Sequence, residues 1–286
     1  MKKLGIDVGG TFIKLYWEDG KEKLKTPKSK EELLRLLTSI LRRHSPEKVG
    51  LAIAGIIDKR ELKLLESPNL PLLKGLNLKR LTESFKGELH LFNDATAAAY
   101  GEYKAGSGRG SKGLVCITLG TGLGGGAVIE GRPVEGVRGS ALEPGHTCID
   151  IEGWECSCGR RGCLEAYASS YGLERHYREL WGKKLKAAEI VKRAATGDGR
   201  AAKALERLAF YLSVGVVNLI HIFNPDRVVI TGGTVARYPN LVKLTEKMVK
   251  ERGFKGLTEG VKILPGELSD YSGAVGAYLL LELRET

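Results

Sequence analysis

The chain of 286 residues is long enough for one large domain or two of ordinary size, and 42% apolar with 28% charged residues is typical of globular proteins. This composition excludes disordered, collagen-like and coiled-coil chains. The net charge of +11 is spread along the chain among acidic residues, which predicts a charged surface rather than a nucleic-acid interface. No apolar run approaches the roughly 20 residues of a membrane span, and the first ten residues hold an acid and three glycines, so we expect a cytoplasmic protein.

Strands and helices alternate over the first hundred residues, which predicts an α/β fold. Short apolar runs indicate the strands. Leucines at helical spacing, behind Ser29 as N-cap and Glu32 three residues later, indicate the first helix. The predicted elements are two strands around a Gly-Gly-Thr turn in 4–17, a hairpin turn at 18–20, a helix over 29–43, strands over 49–57 and 89–92, and a helix over 95–104.

The opening pattern occurs a second time. Residues 115–131 align with residues 4–20 at a constant offset of 111 residues and without a gap, so that Gly9 falls on Gly120. This duplication predicts two related α/β halves, each offering one Gly-rich turn to a shared cleft. The Gly/Ser-rich stretch 105–113 is the predicted boundary. We therefore expect a first domain of residues 1–106, joined by the closing helix 272–286, and a second domain of residues 107–271.

The rest of the chain is predicted to be mainly helical. Long helices are expected at about 185–196 and 200–223, followed by a strand over 228–230 that runs into Thr231-Gly232-Gly233. The last helix is predicted from Ser272 to about Arg284. The absence of Gln and the presence of only two Met residues, beside abundant Lys, Glu and Arg, are typical of proteins that work at high temperature.

Three glycine turns indicate a phosphate site, because glycine lets the backbone approach a phosphate closely and direct N–H groups at it. One such turn is usually only a turn, but two at matched positions and a third at the end of a strand are stronger evidence. An acid at the end of the first strand could hold the magnesium ion that accompanies ATP, directly or through water. The candidate nucleotide-binding residues are Asp7, Gly9, Gly10, Thr11, Lys14, Thr121, Gly122, Gly232 and Gly233. The chain has neither the P-loop motif nor the dinucleotide fingerprint.

One imidazole and three thiols lie within 18 residues and predict a zinc site. His146, Cys156, Cys158 and Cys163 form the Cys₃His set that is usual in structural tetrahedral zinc sites. Disulfides are the alternative, but cytoplasmic thiols stay reduced; reduced cysteines without metal are the other alternative. Cys116 lies within an apolar strand and is interpreted as a small buried hydrophobic residue.

The chain resembles a known family at these motifs. Residues 7–11 and 119–126 are similar to the two phosphate signatures of the sugar-kinase/actin/chaperone ATPase superfamily. Residues 143–146 and 156–165 resemble the Glu-x-Gly-His and Cys-x-Cys-Gly-x-x-Gly-Cys-x-Glu patterns of ROK sugar kinases, and the resemblance covers nearly all of the chain. It implies two ribonuclease-H-like (actin-like ATPase) domains with an interdomain cleft. Cys148 has no place in the pattern, and Pro144 stands where the family commonly has Ile or Phe.

The resemblance also assigns roles to residues of the sugar site. An Asn-Asp pair before an Ala-rich helix is by itself typical of a helix cap. In the family this pair binds the sugar and its Asp is the general base, which implies that Asp94 accepts the proton of the attacking hydroxyl. Both roles are compatible. The implied sugar-binding residues are Gly55, Asn69, Asn93, Asp94, Glu143, His146 and Glu165, with His146 serving zinc and sugar together.

The activity implied by the resemblance is that of an ATP-dependent glucokinase or broad-specificity hexokinase acting at the sugar 6-OH, with Mg²⁺ and Zn²⁺ as metals. An amino-sugar or N-acetylhexosamine kinase is the alternative, and fructose or allose is a further one. Sugar-responsive repressors of the family carry a helix-turn-helix before the first phosphate turn, and because that turn begins at Asp7 we expect none here. A chaperone-like or filament-forming relative would have no use for the zinc segment. We expect a homo-oligomer, a dimer or tetramer, with no nucleic-acid or membrane partner.

Overall fold

The computed structural model describes residues 2–67, 71–83, 85–137 and 139–284. In the first hundred residues the elements follow the predicted order, and the Ser29 Oγ accepts a hydrogen bond from the Glu32 N–H at the start of the first helix. The predicted strand over 49–57 is divided, because the chain turns at Gly55 with φ of 121°. The elements are β1 (Lys3–Val8), β2 (Phe12–Trp17), β3 (Gly20–Lys25), α1 (Lys30–His44), β4 (Lys48–Ile53), β5 (Ile56–Asp58), β6 (Lys63–Glu66), α2 (Lys79–Thr82), β7 (Glu88–Asn93) and α3 (Asp94–Ala105).

The first sheet has the strand order β3-β2-β1-β4-β7. Strands β1, β2 and β3 are antiparallel, whereas β1, β4 and β7 are parallel. Val8 pairs with Ile53 in register, and Ile53 pairs with Asn93. The carboxyl ends of the three parallel strands therefore meet at one edge, which brings the first glycine turn near the start of α3.

The second half of the chain repeats this sheet. Its strands have the order β10-β9-β8-β11-β12, again with an antiparallel hairpin beside parallel strands, which confirms the predicted duplication. The closing α-helix ends at Leu280 and is followed by a short 3₁₀ turn over Glu282–Arg284. The elements are β8 (Gly113–Leu119), β9 (Leu123–Ile129), β10 (Arg132–Pro133), α4 (Leu164–Tyr167), α5 (Ser170–Trp181), α6 (Ala187–Ala195), α7 (Gly199–Phe223), β11 (Arg227–Thr231), α8 (Gly233–Arg237), α9 (Asn240–Arg252), α10 (Lys255–Thr258), β12 (Lys262–Pro265) and α11 (Ser272–Leu280).

The two terminal helices of the repeats are exchanged between the sheets. Helix α3 follows the first sheet in sequence but packs on β8 and β9, whereas α11 follows the second sheet and packs on β1 and β4. The two helices also pack closely on each other, because glycines stand at their contacts; a Cβ at Gly276 would collide with the Ala97 carbonyl. The division into domains at residue 106 stays a prediction.

Helix α7 is the longest element of the second half and crosses its core. By length and composition alone this helix could span a membrane, in contrast to the expectation from the sequence. In the structure 56% of its apolar window is buried, and α5, α6 and α9 pack against it. Its apolar character is therefore explained by the core of the protein.

Candidate active site

Asp7 lies at the carboxyl edge of the first sheet, next to the first glycine turn. The residue is 8% exposed, and its carboxylate accepts a hydrogen bond of 3.2 Å from the Lys14 Nζ. It also lies against the first turn of α11, where a Cβ at Gly273 would be 2.9 Å from the Asp7 Cγ. Burial raises the pKa of Asp7 and the Lys14 ammonium opposes this rise. A carboxylate held in this way has oxygen atoms suited to a hard cation such as Mg²⁺.

Asn93, and not Asp94, is the cap of α3. Its Oδ1 accepts hydrogen bonds from the N–H groups of Ala95 and Thr96, both at 3.0 Å. Its Nδ2 lies 3.5 Å from the Gly55 carbonyl oxygen, which joins it to the turn after β4. Asp94 is the first helical residue, so its carboxyl group is not needed for the cap. The helix cap and the predicted general base are therefore two different residues, although the sequence alone did not distinguish them.

Asp94 is half-buried and its acidity is strongly perturbed. Burial raises the pKa of Asp94 to about 6, and the negative charge of Asp7 acts in the same direction, while the N–H groups at the start of α3 and the Lys14 ammonium oppose it. The strand register locates Asp94 at the same sheet edge as Asp7, because Val8 is level with Ile53 and Ile53 with Asn93. A carboxyl group with this pKa is largely ionised at neutral pH and still basic enough to accept a proton.

The three consecutive glycines of β9 bring the other side of the site close to α3. A Cβ at Gly126 would lie 2.7 Å from the Ala95 carbonyl oxygen, and a Cβ at Gly125 would lie 2.5 Å from the Pro144 Cγ. Because the strand carries no side chains here, α3 packs on one face and residues 144–145 pack on the other. The glycine-rich run that resembles a phosphate signature is thus partly a packing device.

Glu143 is brought to the same region by this packing. The residue is exposed to solvent, yet the surrounding protein removes part of the water around its carboxyl group. Desolvation raises the pKa of Glu143 to about 7, and the negative charges of Asp94 and Glu165 add to the effect. Leu142 before it has φ of 69°, a left-handed conformation that is unusual for leucine, and Pro144 follows it. Glu143 is therefore held by a constrained backbone on both sides.

Glu165 is almost completely buried, at 2% exposure. Its Oε2 accepts a hydrogen bond of 2.9 Å from the Leu123 N–H at the start of β9. Its Oε1 accepts hydrogen bonds from the Ser157 Oγ at 2.7 Å and the Tyr171 hydroxyl at 3.2 Å. The carboxylate thus fastens the cysteine-rich loop to the second glycine turn, and its predicted contact with a sugar stays a prediction.

The predicted metal ligands converge. One donor atom each from His146, Cys156, Cys158 and Cys163 lies within 4.8 Å of the others. The Cys158 and Cys163 sulfurs are 3.7 Å apart, too far for a disulfide, and the Cys156 sulfur is 3.8 Å from the His146 Nδ1. These separations fit four ligands around one zinc ion with bonds of about 2.0–2.3 Å. Since Nδ1 faces the cysteines, Nε2 on the other side of the ring is left for a further partner.

The two remaining cysteines lie outside this group. Cys148 is exposed, and Cys116 is completely buried in β8, where desolvation raises the pKa of its thiol well above the ordinary value. The interpretation of Cys116 as a small buried hydrophobic residue agrees with this position.

The second and third glycine turns lie together at the edge of the second sheet. The Gly120 N–H donates to the Gly122 carbonyl at 3.0 Å, and the Gly120 carbonyl accepts from the Ser170 hydroxyl at 2.7 Å. Gly232 has φ of 112°, and a Cβ there would collide with the Leu119 carbonyl at the end of β8. In the first turn the Thr26 hydroxyl donates to the Gly9 carbonyl at 2.6 Å. The exposed residues of these turns are Gly10, Thr11 and Thr121.

Two charged contacts near the site were not predicted. Asp270, just before α11, accepts a hydrogen bond of 2.8 Å from the Lys23 Nζ, and its charge raises the pKa of Asp7. Lys59 between β5 and β6 pairs at 2.5 Å with Glu135 in the loop that leads to Glu143. An acid before the last helix was visible in the sequence, but nothing there indicated its partner. The predicted sugar-binding residue Asn69 lies outside the described residues.

Comparison with known sequences gives a match over almost the whole chain. The profile of the ROK family matches residues 3–284. The xylose repressor of Bacillus subtilis is 31% identical over 80% of this chain, which spans 59% of the length of that repressor. The glucokinase of Thermotoga maritima is 33% identical, with 99% of this chain and 98% of the relative covered. The N-acetyl-D-glucosamine kinase of Photobacterium profundum is 30% identical, with 96% and 98% covered.

Solved structures agree with this match. A ROK family glucokinase from Streptomyces griseus, in complex with glucose and AMPPNP, has a TM-score of 0.86 at 27% identity, with 98% of this chain and 99% of that chain covered. The ROK hexokinase from Thermus thermophilus has a TM-score of 0.83 at 28% identity, with both chains fully covered. The likeness confirms the predicted fold class of two actin-like α/β units.

Proposed function

The chain belongs to the ROK family, and from this premise we propose that it is an ATP-dependent hexose kinase, a glucokinase or a hexokinase of broad specificity. It transfers the γ-phosphoryl group of ATP to the 6-OH of the sugar. One observation carries the proposal: Asp94 opens α3 at the sheet edge that bears the first glycine turn, and the glycines of β9 let α3 pack on one face of that strand and Pro144, next to Glu143, on the other. A group in this position can act on a hydroxyl that lies between a phosphate and a sugar pocket.

In the proposed reaction Asp94 is the general base. It accepts the proton of the 6-OH as that oxygen attacks the γ-phosphorus. The bond between the γ-phosphorus and the oxygen that bridges it to the β-phosphate breaks, and ADP is the leaving group. Phosphoryl transfer requires mostly positioning and charge stabilisation, so one oriented base is sufficient. Magnesium, when bound with ATP, neutralises phosphate charge, and Asp7 would hold it directly or through water. Lys14 adds a positive charge beside Asp7.

The sugar pocket is assigned to groups around this base. Asn93, Glu143, His146 and the Gly55 backbone offer donors and acceptors for sugar hydroxyls, which donate and accept at once. Glu165 supports the pocket through its neighbours, because its carboxylate accepts hydrogen bonds from the Leu123 N–H and the Ser157 hydroxyl. Zinc, when bound to His146 and the three cysteines, would keep the loop rigid and leave the His146 Nε2 free to meet the sugar.

The activity is expected to decline as the pH is lowered, with a midpoint above the ordinary pKa of an aspartate carboxyl group. Because the pKa of Asp94 is raised to about 6 in the free protein, the base is protonated as the pH falls below that value, and kcat/KM for the sugar should drop about tenfold per pH unit there. The negative charge of Asp94 raises the pKa of Glu143, so the two groups titrate as a pair. The measurement is kcat/KM for the sugar from about pH 4.5 to about pH 8, with ATP well below its KM so that the profile reports the free enzyme. A midpoint at the ordinary carboxyl value would contradict the assignment.

Methyl groups added at two glycine turns should weaken ATP binding without affecting the fold. A Cβ at Gly120 or at Gly233 would meet no protein atom within 4 Å, and neither residue has a positive φ. A bound phosphate chain is the partner that such a methyl group would obstruct, so Gly120→Ala and Gly233→Ala should each raise the KM for ATP about tenfold or more. Gly199→Ala, with equally open space at the start of α7, is the control and should leave this KM unchanged. Unchanged KM values in both test variants would remove these turns from the nucleotide site.

The substrate is identified by a coupled kinase assay. Glucose, mannose, fructose, glucosamine, N-acetylglucosamine and N-acetylmannosamine are compared at equal concentration with ATP as donor. Preference for glucose or mannose supports the proposal. Preference for an N-acetylated sugar would favour the alternative of an N-acetylhexosamine kinase, which the relative from Photobacterium profundum supports. Sugar binding without any transfer would favour a non-catalytic sugar sensor.

A further inference from the structure

Glu102 near the end of α3 is completely buried and lies outside the site described above. Its carboxylate accepts three backbone N–H groups, from Ser107 and Glu267 at Oε2 and from Leu268 at Oε1, each at 3.1 Å. Burial raises the pKa of Glu102, and these N–H groups oppose the rise. A buried carboxylate is costly unless it is hydrogen-bonded, so these contacts are strong constraints on the segments that supply them.

The segment that supplies two of these groups is the return connection of the chain. Residues 266–271 lead from β12 in the second sheet to α11 on the first sheet. Glycine permits the close approach, since a Cβ at Gly266 would lie 2.8 Å from the Glu102 Oε1. The Ser107 hydroxyl also donates to the Pro265 carbonyl at 2.6 Å. Glu102 therefore fastens the beginning of the return connection to α3, which packs on the second sheet.

The end of the same connection is fastened to the first sheet. Asp270 is bonded to Lys23 of β3, and α11 begins two residues later with Gly273 against the Asp7 carboxylate. Between the two attachments stands Ser269, with φ of 51°. The left-handed region is uncommon for serine, so the change of chain direction is concentrated in this residue.

We propose that Glu102 is a positioning residue for the transfer reaction, acting through the return connection, and that Ser269 is the pivot between the two halves when the cleft closes. The proposal rests on the proposed kinase function. Glu102 fixes Leu268 to α3, so that rotation at Ser269 carries Asp270 and the first turn of α11 together with the first sheet. The position of Asp7 relative to the second sheet then depends on a carboxylate that contacts neither substrate.

The first test is Glu102→Gln, which keeps the shape of the side chain but points an NH₂ group at backbone N–H groups. We expect kcat to fall about tenfold or more, because hinge contacts affect the alignment of reacting groups. We also expect sugar-free ATP hydrolysis, as a fraction of the rate with sugar, to rise. The control is Glu267→Gln. Its side chain is exposed and pairs with Arg109 at 3.1 Å, but its N–H still reaches Glu102, so its kinetics should match the wild type.

All rates are measured well below the melting temperature of each variant, so that lower stability alone has no effect. Kinetic constants and a hydrolysis fraction within about twofold of the wild type would overturn the proposal. If Glu102→Gln does not fold, Ser269→Gly replaces it, because glycine accepts a positive φ. We expect this variant to fold and, because its pivot is looser, to raise the sugar-free hydrolysis fraction about threefold or more. An unchanged hydrolysis fraction would overturn the proposal.

Scattering separates this proposal from the kinase function. Glucose with AMPPNP should reduce the radius of gyration of the wild type, and the reduction should be smaller in Glu102→Gln or, where that variant does not fold, in Ser269→Gly. If the wild type phosphorylates none of the sugars, the proposed function is wrong, while ligand-induced compaction still tests the pivot. Equal compaction in the wild type and the folded variant would overturn it.

Discussion

Replacement of Asp94 by asparagine is expected to lower kcat about 10²-fold or more while the fold and sugar binding are retained. Asparagine has the same shape but cannot accept the proton of the sugar hydroxyl at neutral pH. The helix is not weakened, because its cap is the Asn93 side chain. The coupled assay gives kcat, and calorimetric titration with glucose gives the binding constant of the variant.

The matched control is Asp198→Asn, at the cap of α7. There asparagine caps as well as aspartate does, so both kcat and stability should stay near the wild type. A wild-type kcat in Asp94→Asn would show that the base lies elsewhere. Loss of sugar binding in that variant, without a separate loss in kcat, would show that Asp94 only holds the sugar.

Replacement of Cys158 by serine is expected to abolish zinc binding, lower the melting temperature and raise the KM for the sugar. The purified wild type should contain about one zinc per chain, by the count of four ligands. Without the metal the four ligands are no longer joined, and the loop that carries His146 depends on hydrogen bonds such as that from Ser157 to Glu165. Metal analysis, thermal unfolding and steady-state kinetics on the same preparation give the three quantities.

Cys148→Ser is the matched control in the same loop. Cys148 is exposed and lies outside the ligand group, so this variant should keep its zinc and its sugar KM. A purely structural metal, remote from the sugar, would give a different result: Cys158→Ser would melt earlier but keep the wild-type KM at temperatures where it is folded. That result would contradict the dual role of His146.

Local signals in the sequence were enough for much of the fold. Ser29 with Glu32, the apolar runs and the repeat at an offset of 111 residues predicted elements that the structure confirms. The metal group was also predictable, because its four residues are close in sequence and their chemistry suits one ion. Each of these signals depends on spacing along the chain.

Contacts between distant segments could not be predicted in the same way. The sequence does not show that the Asn93 side chain caps α3. Nor does it show that one Glu165 oxygen accepts a hydrogen bond from Ser157 and the other from the Leu123 N–H. The glycines of β9 have a local resemblance to a phosphate signature, and only the packing of α3 and Pro144 reveals their second purpose. Asp270 was overlooked because its partner Lys23 is 247 residues away.

Because α3 and α11 are exchanged between the sheets, neither repeat can bury its apolar sheet face without the other. A polypeptide that stopped before β8 would have α3 without the sheet it covers, and its own sheet would lack α11. Its apolar surface, including Ala52 and Phe92, would then face water, whereas in the full chain both residues share one core with Ala277. Two copies of such a fragment could cover each other's apolar sheet faces by exchanging their last helices, as domain-swapped dimers do. The chain is thus built like a swapped dimer whose protomers are fused through residues 106–112, and its repeats should unfold in one cooperative transition.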